Sequence, residues 1–127
     1  MKGIVIKTDG DMSVKEFGEP LYQTVGAEVG GHIEIVFPRG LLKPYLMVVN
    51  EEGLLQNLKL NGIGSVLYGT PKHGQPIVGN VVIMKGGIVN GEPDIVGLED
   101  GEISEMLIPL MRAVSDLAVA FFPEATT

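Results

Sequence analysis

The stretch "GGHIEIVFPRG", residues 30–40, sets Ile33, Ile35 and Phe37 at every second position, with His32, Glu34 and Val36 between them. A period of two is the mark of a strand with one buried face. The two glycines before it and the Pro38-Arg39-Gly40 turn after it bound the strand on both sides. The reading predicts that Ile33, Ile35 and Phe37 face a core together with Met47 and Val49 of the next strand. His32 and Glu34 then share the outer face, where a His–Glu pair has the chemistry for acid–base work.

Working outward, "PYLMVVN" (44–50) is nearly all apolar, as expected of a strand covered on both faces. Upstream, "GEPLYQTVGAEVGG" places Leu21, Val25 and Val29 four residues apart. That spacing predicts a short helix with Pro20 in its first turn and Gly30 at its end. Before it, the Asp9-Gly10 pair between "GIVIK" and "MSVKEF" predicts a hairpin turn. Ile4 and Ile6 should lie on one strand face, and Met12 and Val14 on one face of its partner.

Downstream, "NEEG" (50–53) reads as a turn and "LLQNLKLN" (54–61) as a short strand or irregular connector. "NGIGSVLYG" predicts a helix of one or two turns with Asn61 as its N-cap. "QPIVGNVVIMKGG" (75–87) predicts a strand with a bulge or close backbone approach at Gly79. "IVNGEPDIVGLEDGE" reads as connector, with a further short strand at Asp94 to Val96.

The clearest element is the last. Ile103, Met106, Leu107, Leu110, Met111, Val114, Leu117, Ala118 and Phe121 recur at three- and four-residue spacing, which predicts a helix over 101–122. Pro109 falls within it and has no amide hydrogen for the ladder, so a kink or break is expected there. Phe122 beside Phe121 widens the apolar stripe. Such a helix serves either as core or as a seam for a homo-oligomer. The fold class that follows is α+β: one domain over 1–127, with a small, mostly antiparallel sheet over 1–100, short helices and the C-terminal amphipathic helix.

With 45% hydrophobic residues and a mean hydropathy of +0.29, the chain has the composition of a folded protein. No apolar run reaches the roughly 18 to 20 residues of a membrane span. Acidic turn residues follow "MKGIVIKTDGDM" too soon for a signal peptide. There is no cysteine, hence no disulfide framework or thiolate metal site, and a cytoplasmic setting is expected. Charge is uneven. Residues 1–91 hold eight Lys/Arg against eight Asp/Glu, whereas residues 92–127 hold eight acidic residues against Arg112 alone, which accounts for the net −7. That field disfavours direct nucleic-acid binding and suits a basic protein partner.

No catalytic signature is present. His32 and His73 are the only histidines and form no H-x-x-x-H pair, so no metal or cofactor is expected. "GIGSV" has Val66 where a nucleophile elbow needs glycine, and no Gly-Lys-Ser/Thr follows to make a phosphate loop. Among the polar groups at strand ends (Arg39, Lys43, Tyr45, Asn50, Asn61, Tyr68, Lys72 and His73), six are the expected ligand-binding set: Arg39, Lys43, Tyr45, Asn50, Tyr68 and His73. Arg39 and Lys43 would meet an anionic group, and a tyrosine face would meet a base.

"VGGHIEIV" (29–36), "VNEEGLLQNLKLN" (49–61), "GSVLYG" (64–69) and "PIVGNVVIM" (76–84) follow one another in a pattern that resembles an uncharacterised family of small phage and bacterial proteins, known as a domain of unknown function. Its members often carry an aromatic residue in place of His32 and aspartate in place of Asn80, which argues against a general catalytic role for His32. The resemblance implies a phage or mobile-element setting. It leads to the expectation of a non-catalytic accessory protein that holds a small anionic, nucleotide-like ligand, such as an immune signalling nucleotide of the host. The alternatives are an acidic inhibitor of a host defence or nucleic-acid-binding enzyme, and an enzyme built on His32 and Glu34.

Overall fold

The computed structural model describes residues 1–70 and 74–121; Lys72, His73, Phe122 and the Phe121 side chain lie outside that description. Among the described residues, strands β1 (Lys2–Ile6), β2 (Met12–Glu16), β3 (Ile33–Val36), β4 (Tyr45–Asn50), β5 (Val81–Val89) and β6 (Glu92–Val96) form one antiparallel sheet. Its order is β2-β1-β5-β4-β3, and β6 pairs with the far end of β5. Among the described residues it is accompanied by helices α1 (Leu21–Val29), α2 (Gly62–Tyr68) and α3 (Asp100–Phe121). The fold is α+β.

Side-chain alternation divides the sheet between two cores. Ile4, Ile6, Met47, Val49, Val81 and Ile83 face α2 and α3, where Ile63, Leu67, Met106, Leu110 and Ala113 close over them. Val5, Leu46, Val48, Val82 and Met84 face α1 with its Val25 and Val29. The central strands β1, β4 and β5 are therefore covered on both sides, which explains why their sequences are continuously apolar.

The opening stretch departs from its expected role. Strand β3 is an edge strand of four residues, and its Ile35 lies opposite Val48, on the α1 side. Helix α1 is nine residues long, and of the apolar residues of this stretch on its side only Ile33 packs against the core it covers, while Ile35 is 42% and Phe37 58% exposed. Met47 and Val49 are buried, but on the opposite face from Ile35. Alternation sets parity along a strand; it does not say how far the covering layer extends.

The Asp9-Gly10 hairpin forms as expected, with Lys7 N–H bonded to Asp11 O at 2.8 Å. Gly30 takes the left-handed conformation at the end of α1, and Pro20, expected in its first turn, is its N-cap. The stretch after residue 87, expected as connector with a short strand at Asp94 to Val96, is a hairpin whose second strand includes that segment. β5 runs on to Val89, and β6 returns from Glu92 after Asn90 and Gly91, whose φ angles are 52° and 80°. Two positive φ values are what a two-residue hairpin turn requires, and Asn-Gly supplies them. Strand β5 begins at Val81, so Gly79, with φ 78°, lies before the strand rather than within it. Residues 51–57 form turns, residues 58 and 59 are irregular, and Leu60 makes a single bridge to Val78.

Helix α3 continues through Pro109 without a break. Its inner stripe is Ile103, Met106, Leu110, Ala113 and Leu117. Leu107, Met111 and Val114, which share the same apolar spacing, are 57%, 69% and 40% exposed. No helix among the described residues is long and apolar enough to cross a membrane.

Candidate functional site

The six polar residues expected to form one pocket are distributed over separate places. Tyr45, at the start of β4, points to the first turns of α3, where its hydroxyl lies 3.3 Å from Glu105 Oε2 and 3.5 Å from Glu102 Oε2. Burial, reinforced by the two carboxylates, raises the phenol above its ordinary pKa. Glu102 also accepts from Lys85 Nζ at 2.8 Å and from the Glu99 backbone N–H at 2.9 Å, which caps the helix. The Lys85 bond is the first cause that holds its carboxyl below the usual range. Tyr45 thus belongs to a structural cluster. Lys43 sits over the Phe37 ring, 6.0 Å from its centroid.

Asn50 and Tyr68 do come together, in a cavity of 480 Å³ beside β3. Glu34, Glu51, Glu52 and Gln75 share its wall, and no cationic side chain lines it among the described residues. Asn50 has little left for a ligand. Its Nδ2 donates to Val29 O (3.2 Å) and Gln56 Oε1 (3.0 Å), and its Oδ1 accepts from Glu52 N–H (2.8 Å). That side chain ties the end of α1 to the turn after β4. Three carboxylates make this cavity a poor place for a phosphate.

Arg39 leads elsewhere. Gly40 N–H bonds Leu67 O at 2.8 Å, which lays the 38–41 turn against the end of α2. A Cβ at Gly40 would stand 3.1 Å from that same oxygen, so the approach depends on glycine. Leu41, buried, anchors the turn. Arg39 is thereby held beside the outer side of α3, and a cleft of 350 Å³ opens between them, lined by Arg39, Leu42, Val66, Pro109, Arg112 and Asp116 among others. Arg39 and Arg112 are the only arginines in the chain. Neither makes an ion pair with a carboxylate among the described residues, Asp116 included. Arg112 was not in the expected set because one cation in an amphipathic helix reads as a solvated face. Its meeting with Arg39, 73 positions away, is a tertiary fact.

The remaining candidates are structural or isolated. Ser65 Oγ donates to Ile77 O and accepts Ile77 N–H, which fixes α2 to the chain before β5 rather than freeing a nucleophile. Glu34 lines the 480 Å³ cavity but His32 does not. No group of three metal-ligating side chains occurs among the described residues. The expected ligand role of His73 falls outside those residues.

No curated protein and no solved structure matches the chain. Residues 1–108, the greater part of the chain and all four motifs, match the model of a domain of unknown function, DUF3846, and the chain belongs to that family.

Proposed function

We propose that the protein is a non-catalytic binder of a small molecule carrying a phosphate or carboxylate group, held between Arg39 and Arg112. The observation that carries this reading is the convergence of the only two arginines of an acidic chain on one cleft, each without a carboxylate partner among the described residues. Guanidinium groups bind planar or tetrahedral oxyanions through paired N–H donors, and two of them address more than one oxygen. Leu42, Val66 and Pro109 supply an apolar wall for the rest of the ligand. The cleft volume falls within the roughly 300–1,000 Å³ of small-molecule sites. This reading keeps the anionic ligand and Arg39 from the sequence, replaces Lys43 with Arg112, and gives up tyrosine stacking, since neither Tyr45 nor Tyr68 lines the cleft. A nucleotide would rest its base on aliphatic side chains. Binding without turnover is also what sequestration of a signalling nucleotide would need. Docking of the acidic C-terminal third on a basic partner has less support, because Asp100 is paired with Lys2 and Glu102 with Lys85.

Calorimetric titration with inorganic phosphate, a simple carboxylate and a panel of linear and cyclic nucleotides tests the reading. At least one oxyanion should bind, and Arg39→Gln with Arg112→Gln should abolish its heat. Asp116→Asn removes a competing negative charge from the cleft wall and should tighten binding several-fold. Silence across the panel, or binding indifferent to the double substitution, would overturn the proposal.

A further inference from the structure

The opposite flank of α3 carries a second, unrelated feature. Strand β2 lies at the open edge of the sheet, and all five of its residues are exposed. Between it and α3 runs an apolar groove of 650 Å³, walled by Met12 and Val14 from the strand and by Leu107, Met111, Val114 and Ala118 from the helix. These helix positions are spaced four, three and four residues apart, the pattern of a helix–helix seam.

The hydrogen-bond pattern of β2 specifies what fits beside it. Phe17 N–H bonds Met1 O, and Asp11 O accepts from Lys7 N–H. In an antiparallel ladder alternate residues address the same neighbour. Asp11, Ser13, Lys15 and Phe17 therefore face β1, while Met12, Val14 and Glu16 direct both N–H and C=O outward. The occupant must be an extended strand with an apolar surface beside it. Charged residues often guard such an edge, but here both are neutralised internally. Lys15 pairs with Glu28 at 2.9 Å and Glu16 with the N-terminal ammonium at 2.6 Å.

We infer that the occupant is a second copy of this chain, in a twofold dimer that pairs β2 with β2 antiparallel and α3 with α3. With Val14 on the axis, Val14 exchanges two bonds with its counterpart and Met12 pairs with Glu16 of the other copy. All three outward-facing residues are then satisfied. Val14 and Met12 lie opposite Ile4 and Ile6, on the face that carries α3. The same rotation therefore brings the two apolar helix seams together over the joined strands. A self-paired strand closes as a dimer and leaves no further edge at that site, so it does not propagate into a filament.

Sedimentation velocity of the intact chain, without ligand, tests the inference alongside two substitutions. Val14→Pro deletes an outward N–H and no bond to β1, the one way proline is tolerated on an edge strand. Met111→Asp places a charge in the helix seam at an exposed position, so it preserves the fold even if the proline variant does not. The intact protein should sediment at twice the 13.5 kDa chain mass. Each variant that keeps the parent circular dichroism spectrum should sediment at half the parent value. A monomer up to millimolar concentration, or a dimer that survives either folded variant, overturns the inference.

Discussion

Asn61 shows how a single polar side chain can hold three elements at once. It is fully buried; its Oδ1 caps α2 by accepting Gly64 N–H, and its Nδ2 donates to Ile6 O at the end of β1 and to Gly79 O before β5, each at 2.9 Å. Asn61→Ala would leave one amide and two carbonyls without partners in a dry interior. We expect a loss of about 3–5 kcal/mol in urea melts, from the cap and the buried unsatisfied groups together; a loss under about 1 kcal/mol would show that water replaces the side chain. The cap was legible in the sequence, since Asn before an apolar helical run is a local signal. The two carbonyl partners were not, because they come from distant strands. Glu102 permits a second test. Its folded pKa is lowered, so its contribution to stability is present in full above the ordinary glutamate pKa and fades as pH falls through the folded value. Glu102→Gln should therefore melt below the parent at neutral pH, with the gap closing as the solution is acidified to below that folded value. The bases behave oppositely: Lys85, raised mainly by its bond to Glu102, stabilises below its ordinary pKa and loses that effect as pH rises through its folded value. A gap between parent and variant that stays constant with pH would mean that the Glu102 carboxylate charge contributes nothing.

Strand β3 and the β5–β6 hairpin mark where reading one element at a time succeeds and where it fails. The period of two in residues 32–37 correctly places Ile33 and Ile35 on one side, but only the length of α1 decides which of them is covered. Ile35→Ala should therefore cost only about 1 kcal/mol, whereas its neighbour Val48, sealed under α1, should cost about 2–3 kcal/mol as alanine. Equal losses at the two sites would place a covering layer over Ile35. The hairpin was hidden by its own composition. Gly86, Gly87 and Pro93 read as breakers, yet Gly87 leaves room for Val96, to which a Cβ would come within 2.9 Å, and Pro93 sits on an outer strand. Asn90-Gly91 was the stronger signal. Asn90→Ala imposes a positive φ on a residue that disfavours it and should destabilise by about 1 kcal/mol, read as a lower urea midpoint with an unchanged slope.

On the scale of the whole molecule, α3 takes part in the core, the cleft and the apolar seam at once. The family match ends at Ile108, one residue before Pro109. Beyond it lie Leu110 and Ala113, both buried over Ile63 and Leu67 of α2, and Leu117, which rests on Gly62. Arg112 of the cleft and Met111 of the exposed seam lie there too. The core function of this segment follows from the helical period and was legible; its two outer functions were not, because each depends on a residue brought from another element, Arg39 in one case and Val14 in the other. A chain that stops after Ile108 keeps every strand and all four motifs, but loses burial that contributes about 5 kcal/mol. That is comparable with the roughly 5–15 kcal/mol total stability of a small domain. We expect the shortened chain to retain strand-rich circular dichroism, to bind a hydrophobic dye, and to melt without a cooperative transition. A sharp melt at the parent temperature would show instead that the matched region is self-sufficient and that the second half of α3 is an appendage. Because truncation removes core, cleft and seam together, it cannot separate them, whereas Leu110→Ala, Arg112→Gln and Met111→Asp act on one each: the first should lower stability alone, the second ligand binding alone, and the third assembly alone.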